Sequence, residues 1–155
     1  MKHYTMDKPQ CLLYSAAMLL DIPPAKLIKK LGHDGMEVWW PEYGDHRQFR
    51  GHSMQEMIDI FLSEGYALTP IEAFPMQAPD QETRRAKPTF LEYAERFYSH
   101  IARNKAILIG RTERNNGHAW AWDGFKALDP RGKMCNIHDL SVQTAWVMHN
   151  INSNK

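Results

Sequence analysis

Three side chains in this sequence, Cys11, His118 and Asp129, are of the types that together transfer acyl groups. A thiolate attacks a carbonyl carbon, an imidazole carries the proton from the thiol to the departing amine, and a carboxylate orients the imidazole and stabilises its charged form. Such a set is chemically sufficient for hydrolysis of a peptide or amide bond, for deamidation and for transamidation. Each residue also has a plainer reading. A single Cys on an apolar helix commonly serves as a small core residue, a His in a strand is commonly structural, and an Asp before Pro commonly opens a turn. The three are singled out by where the local sequence puts them together.

His118 and Asp129 lie within GHAWAWDGFKALDPRG, Gly117 to Gly132. Asp123-Gly124 predicts a two-residue type I′ turn, which needs positive φ at both central residues. Counting outward pairs Trp122 with Phe125, Ala121 with Lys126, Trp120 with Ala127, Ala119 with Leu128 and His118 with Asp129. Directly opposed residues share a face, with Cβ atoms about 4.5–5.5 Å apart. That register sets the imidazole beside the carboxylate, and a slip of one residue separates them.

Cys11 falls at the start of a predicted helix, QCLLYSAAMLL, beginning at Lys8 or Gln10 and ending at Leu20. Leu12, Ser15, Ala16, Leu19 and Leu20 form its small-to-apolar stripe. Unpaired N–H groups and the helix dipole place partial positive charge at a first turn, which favours thiolate. The Cys11 backbone N–H is a candidate oxyanion donor. A start at Lys8 would put Cys11 a turn deeper. Gln10 is a second oxyanion candidate, or, with Asp7, half of a capping box.

The remaining elements must hold these groups in place. Asp21 and Pro23-Pro24 end the first helix. PAKLIKKLG predicts a second, with Pro24 at its start and Gly32 past its end. His33 to Gly51 reads as a long ordered loop with a short strand over Met36 to Trp40. Ser53 to Gly65 predicts a helix with a Ser53–Glu56 capping box and an apolar face of Met54, Met57, Ile58 and Phe61. YALTPIEAF predicts a strand interrupted or edged at Pro70. Pro75 to Pro88 is a surface connector. Thr89 and Glu92 cap another helix, whose buried face is Phe90, Ala94, Phe97 and Ile101. AILIG predicts a central strand, and LSVQTAWVMHNI a last one. Helices first and antiparallel strands after them make an α+β layout, with the helices gathered on one side of the sheet.

The composition excludes several classes. At 155 residues the chain fits one domain. Its 19 basic and 18 acidic residues leave a net charge of +1, with no electrostatic footprint for nucleic acid or a charged membrane. No apolar run approaches the roughly 20 residues that a bilayer requires. MKHYTMDKPQ lacks the apolar segment of a signal peptide, so a cytoplasmic location is expected. The two cysteines, Cys11 and Cys135, are expected to be free thiols. Eight histidines raise the question of a metal. Cys135 and His138 have C-x-x-H spacing, and His46 and His52 lie in turn-rich sequence, yet no second pair completes a tetrahedral set. No Gly-rich phosphate loop is present. Neither metal nor cofactor is expected. Trp39 and Trp40 are suited either to line a groove or to cover the core.

With PQCLLYSAAMLLDIP, GHAWAWDG and ALDPRG in place, the sequence resembles the papain-like cysteine peptidase superfamily. The nearest branch is the C39-like one, with its stand-alone bacterial and phage members; LIKKLGHDG and EMIDIFLSEGYALTPIE are also similar to that pattern. The resemblance implies a single papain-like (C39-like) domain over residues 1–155. Its fold would be α+β, an N-terminal helical half packed on a C-terminal antiparallel β-sheet, with a cleft between them. It implies a Cys11–His118–Asp129 triad that cleaves a peptide or amide bond of a peptide or protein substrate through a thioester acyl-enzyme. Two positions depart from the family pattern. Thr5 stands where an oxyanion Gln is usual, and Leu12 where Gly often follows the Cys. GHAWAWDGFKALDP is similar to the transglutaminase-like relatives as well, which keeps an acyltransferase or deamidase on the same triad open. Thr5 keeps open a non-catalytic papain-fold binding module.

Overall fold

The apolar run after Gln10 forms helix α1, Cys11–Leu20, so Cys11 is its first residue. Asp21 closes it in the left-handed region, at φ 54°. Helix α2, Pro24–Leu31, carries Pro in its first turn and stops at Gly32, where φ is 83°. The computed structural model describes residues 1–39, 42, 48–73 and 90–152, and only the backbone at 48 and 90–94. Trp40, His46, the 75–88 connector, the Thr89–Glu92 capping box and the side chains of Phe90 and Ala94 lie outside the described residues.

Two short strands, β1 (Val38–Trp39) and β2 (Gln48–Phe49), pair antiparallel within the segment read as a loop. Trp39 is half exposed there, beneath the Arg50 guanidinium, rather than in the core. Helix α3, Met54–Ser63, starts with both bonds of the expected capping box. The Glu56 N–H donates to Ser53 Oγ at 3.2 Å, and the Ser53 N–H donates to Glu56 Oε1 at 3.0 Å. Its buried residues are Met57, Ile60 and Phe61; Ile58, expected inward, is only half-buried. On α1 the same kind of offset puts Leu13 rather than Leu12 in the core.

The later chain supplies β3 (Tyr66–Glu72), helix α4 (Phe90–Ile101), β4 (Ala106–Arg111), β5 (Gly117–Trp122), β6 (Ala127–Asp129), β7 (Lys133–Cys135) and β8 (Ser141–Asn150). Among the described residues the architecture is α+β, four helices with a six-stranded antiparallel sheet in the order β3-β8-β4-β5-β6-β7. The apolar strand β4 is central, and Pro70 sits in the edge strand β3, where one side of the backbone needs no partner. No single described helix is long and apolar enough to cross a membrane.

Strand alternation divides the core in two. Leu13, Ala16 and Ala17 of α1 and Met57 and Phe61 of α3 pack with Ile107, Ala119, Ala121 and Leu128. Phe97 and Ile101 of α4 pack with Leu108, Trp120, Trp122 and Val147. The helices are therefore not gathered on one side. The second face carries two tryptophans and aliphatic residues of its own, and α4 covers it.

The hairpin differs from the counted register. Ala121 pairs with Leu128 and Trp122 with Ala127, so the loop is Asp123 to Lys126, four residues rather than two. Asp123 does not take positive φ. Instead its carboxylate Oδ1 accepts the N–H groups of Phe125 and Lys126, both at 2.7 Å, and its own N–H donates to Lys126 O at 3.1 Å. The slip is two residues, one full side-chain period, so His118 and Asp129 stay on the same face as diagonal neighbours.

Gly124 has φ 102°, a conformation that strains any other residue, and a Cβ there would stand a tight 3.0 Å from Arg103 Cα. Its carbonyl accepts the Arg103 N–H at 3.1 Å and ties the hairpin to the end of α4. Gly124→Ala should lower unfolding stability by about 1–3 kcal/mol, measured by urea denaturation, whereas Asp123→Asn, which keeps an acceptor oxygen in place, should cost less.

Candidate active site

Asp129 ends β6 and is completely buried. A carboxylate in that position is tolerable only if donors surround it. His118 Nε2 donates to Oδ1 at 2.9 Å and Trp120 Nε1 to Oδ2 at 3.1 Å. The Arg131 backbone N–H donates to Oδ1 at 2.8 Å, and its guanidinium reaches the same carboxylate through Nε and, at 2.8 Å to Oδ2, through Nη2. The backbone of Asp129-Pro130-Arg131-Gly132 is a turn closed by Gly132 N–H to Asp129 O at 2.9 Å. Asp129 thus fills its ordinary turn-opening part and holds the imidazole with the same carboxylate.

His118, the second residue of β5, is 7% exposed. Trp120, two residues on and on the same strand face, presents its ring at 79° to the imidazole, with centroids 4.7 Å apart. The partner of His118 in β4 is Gly110, beside a register shift between Ile109 and Gly110. A Cβ at Gly110 would meet Ser141 O at 2.0 Å, so only glycine lets the strands close behind His118.

Cys11 lies near enough to the His118 imidazole to help raise its pKa. Since Nε2 is taken by Asp129, Nδ1 is the ring nitrogen left for the sulfur. The chain before α1 runs past the Asp129 turn and delivers Cys11 to this end of the sheet. Met6 N–H donates to Pro130 O at 2.7 Å and His3 Nε2 to Asp129 O at 2.8 Å. Thr5 lies against Gly132 in that turn. Cys11 is half-buried and free. Helix α1 starts at Cys11 and not at Lys8, so the sulfur is not a turn deeper.

Gln10 is 5% exposed and makes no capping bond, so the Asp7–Gln10 capping box does not form. Its Nε2 donates to Asp34 O at 2.7 Å. Asp34 follows His33, whose Nε2 bonds the Glu56 carboxylate of the α3 capping box. A chain of bonds from the start of α3 therefore fixes the side chain next to the nucleophile candidate.

Burial disfavours the charged form of His118, but its bonds to Asp129 and Cys11 outweigh that and raise its pKa from 6.5 to about 9. Burial would likewise raise Asp129; the bonds from His118 and Arg131 instead hold it well below the usual carboxylate range. Cys135, partly buried and near Asp129, is pushed up. It lies on β7, away from the His138 partnership its spacing suggested, since His138 Nδ1 meets Tyr98 Oη at 3.1 Å.

Cys11, His118 and Asp129 are thus brought together. Trp120, Arg131 and His3 were not singled out in the sequence. Trp120 had a usable signal, an indole N–H that needs a buried acceptor on the same strand face as His118. Arg131 lay in view in the Asp-Pro-Arg-Gly turn. Comparison with protein families, curated proteins and solved structures finds no match for the chain.

A raised His and a depressed Asp have opposite pH linkage. The contribution of His118 to stability is full below pH 6.5 and lost as pH rises through about 9. That of Asp129 is present above about pH 4 and lost as pH falls through its depressed folded value. NMR titration should find His118 protonated through pH 8 with a midpoint near 9, and Asp129→Asn should move that midpoint well down while reducing stability by about 3–5 kcal/mol.

Proposed function

We propose that this chain is a papain-like cysteine hydrolase of the C39-like type, acting on peptide or amide bonds through Cys11, His118 and Asp129. The observation that carries the reading is one imidazole set between two groups, with Nε2 on the buried Asp129 carboxylate at 2.9 Å and Cys11 near enough to help raise its pKa. His118 holds the proton given up by the thiol, and the sulfur attacks the carbonyl carbon of the substrate. The tetrahedral intermediate collapses as His118 passes that proton to the leaving amine, and a thioester on Cys11 remains. Water then attacks the thioester with His118 as base, releasing a carboxylic acid and regenerating the thiol.

The oxyanion donors assigned here are the Cys11 backbone N–H, one of the unpaired donors of a helix first turn, and the second Nε2 hydrogen of Gln10. The first hydrogen is spent on Asp34 O at 2.7 Å, which fixes the amide. Gln10 adjoins Cys11 directly, so the donor comes from an altered position while Thr5 packs elsewhere. Substrates are peptides or proteins, and the reaction requires no cofactor or metal. A cytoplasmic location fits two free thiols, Cys11 and Cys135.

Stoichiometric iodoacetamide at neutral pH should modify Cys11 at least about tenfold faster than Cys135, read by peptide mass spectrometry. Alkylation of Cys11 at the rate of an ordinary unactivated thiol would sink the reading. Gln10→Ala should slow turnover by about 100-fold or more while leaving the Cys11 alkylation rate nearly unchanged, since alkylation develops no oxyanion.

A further inference from the structure

A cavity of about 420 Å³ abuts His118 on the side of the β4–β5 turn. Thr112, Glu113, Arg114 and Asn116 form its rim, and His118 and Arg131 its floor. No apolar side chain lines it. The rim is held in shape. Thr112 N–H donates to Asn116 O at 2.8 Å, Asn115 N–H to Thr112 O at 2.9 Å, and Arg111 Nη1 to Asn115 O at 3.0 Å. Asn115 takes φ 62° within it.

Two guanidinium groups face this space with donors to spare. Arg131 spends Nε and Nη2 on Asp129, and among the described residues Nη1 has no partner. Arg114 is exposed and, among the described residues, makes no hydrogen bond or ion pair. Planar guanidinium donors match a carboxylate in paired geometry. With His118 as imidazolium, the cavity and its floor carry three cations, Arg114, Arg131 and His118, against Glu113 and the fully buried Asp129. The positive balance is modest, and Glu113 is the element that limits it. The ring assigned to protonate a leaving amine also walls the cavity.

We propose that this cavity is a carboxylate-binding subsite, which takes an acidic group carried on the leaving-group side of the substrate and so rests on the hydrolase reading above. The carboxylate is either an acidic side chain or a free C-terminus. Both present the same chemistry to Arg114 and Arg131.

The test is an NMR titration of the full chain, following the Arg131 Nε–H and the Asn116 and Gly117 amides. Three probes are used: N-acetyl-aspartate N-methylamide, N-acetylglycine and the neutral N-acetyl-asparagine N-methylamide. Saturable shifts are expected with a carboxylate probe, at least about fivefold weaker with the neutral one. The first probe answers for a side chain and the second for a chain end. Arg114→Ala should weaken carboxylate binding by about fivefold or more, and Glu113→Gln should strengthen it. A merely structural role for the turn would not produce opposite signs. Absence of saturable shifts, equal response to the neutral probe, or indifference to Arg114→Ala overturns the subsite. Missing shifts in a chain whose Cys11 alkylates rapidly overturn the subsite alone. Saturable shifts in a chain whose Cys11 is slow overturn the hydrolase reading and leave the carboxylate site standing.

Discussion

One buried charge organises this end of the molecule. The Asp129 carboxylate has no exposure to solvent, and a charge removed from water costs several kcal/mol unless donors replace the hydration it loses. Strand β5 sends two, from His118 and Trp120, and the turn after β6 sends Arg131 through both backbone and side chain. The N-terminal segment binds the same turn through Met6 and His3. Strand β5 and the turn are thus tied to one carboxylate, and the N-terminal segment, bonded to the backbone carbonyls of that turn, leads straight into Cys11.

The same arrangement divides the work within the site. His118 and Arg131 keep Asp129 ionised, Trp120 donates to Oδ2, and Oδ1 stays on Nε2 of His118. That fixes the ring so that Nδ1 is free for the sulfur. On the other side of Cys11, Gln10 is held by Asp34, and His33 links that loop to Glu56 at the head of α3. The Glu56 carboxylate is kept below its usual range despite its burial, through His33 and Ser53. A helix cap, an interaction usually worth about 1 kcal/mol of stability, here also serves to position a residue of the site.

Local signals carried much of this into the sequence. Asp21 and the two prolines after α1, Gly32 after α2, the Ser53–Glu56 box and the apolar run of β4 all act within a few residues of themselves, and each lies where its chemistry requires. The hairpin register was not legible, because Asp-Gly admits more than one turn. The Asp123 carboxylate capping its own loop wins over positive φ at that residue. His118 and Asp129 still meet, since strand faces repeat every two residues and the slip was two. Arg131 and Trp120 were hidden for a different reason. Their roles follow from which groups converge on a buried acceptor, and that is a property of the packed turn and sheet. The cover of α4 over the second face follows likewise from the two-sided burial of β4, β5 and β8.

In the proposed triad, Asp129 acts on Cys11 only through His118. A double-variant cycle on the Cys11 alkylation rate tests it directly, using Asp129→Asn, His118→Ala and the two combined, each checked for folding by circular dichroism. Either single change is expected to slow alkylation, and Asp129→Asn to add no further loss once His118 is gone. Losses that multiply in the double variant, or an Asp129→Asn chain as reactive as the parent, would contradict it.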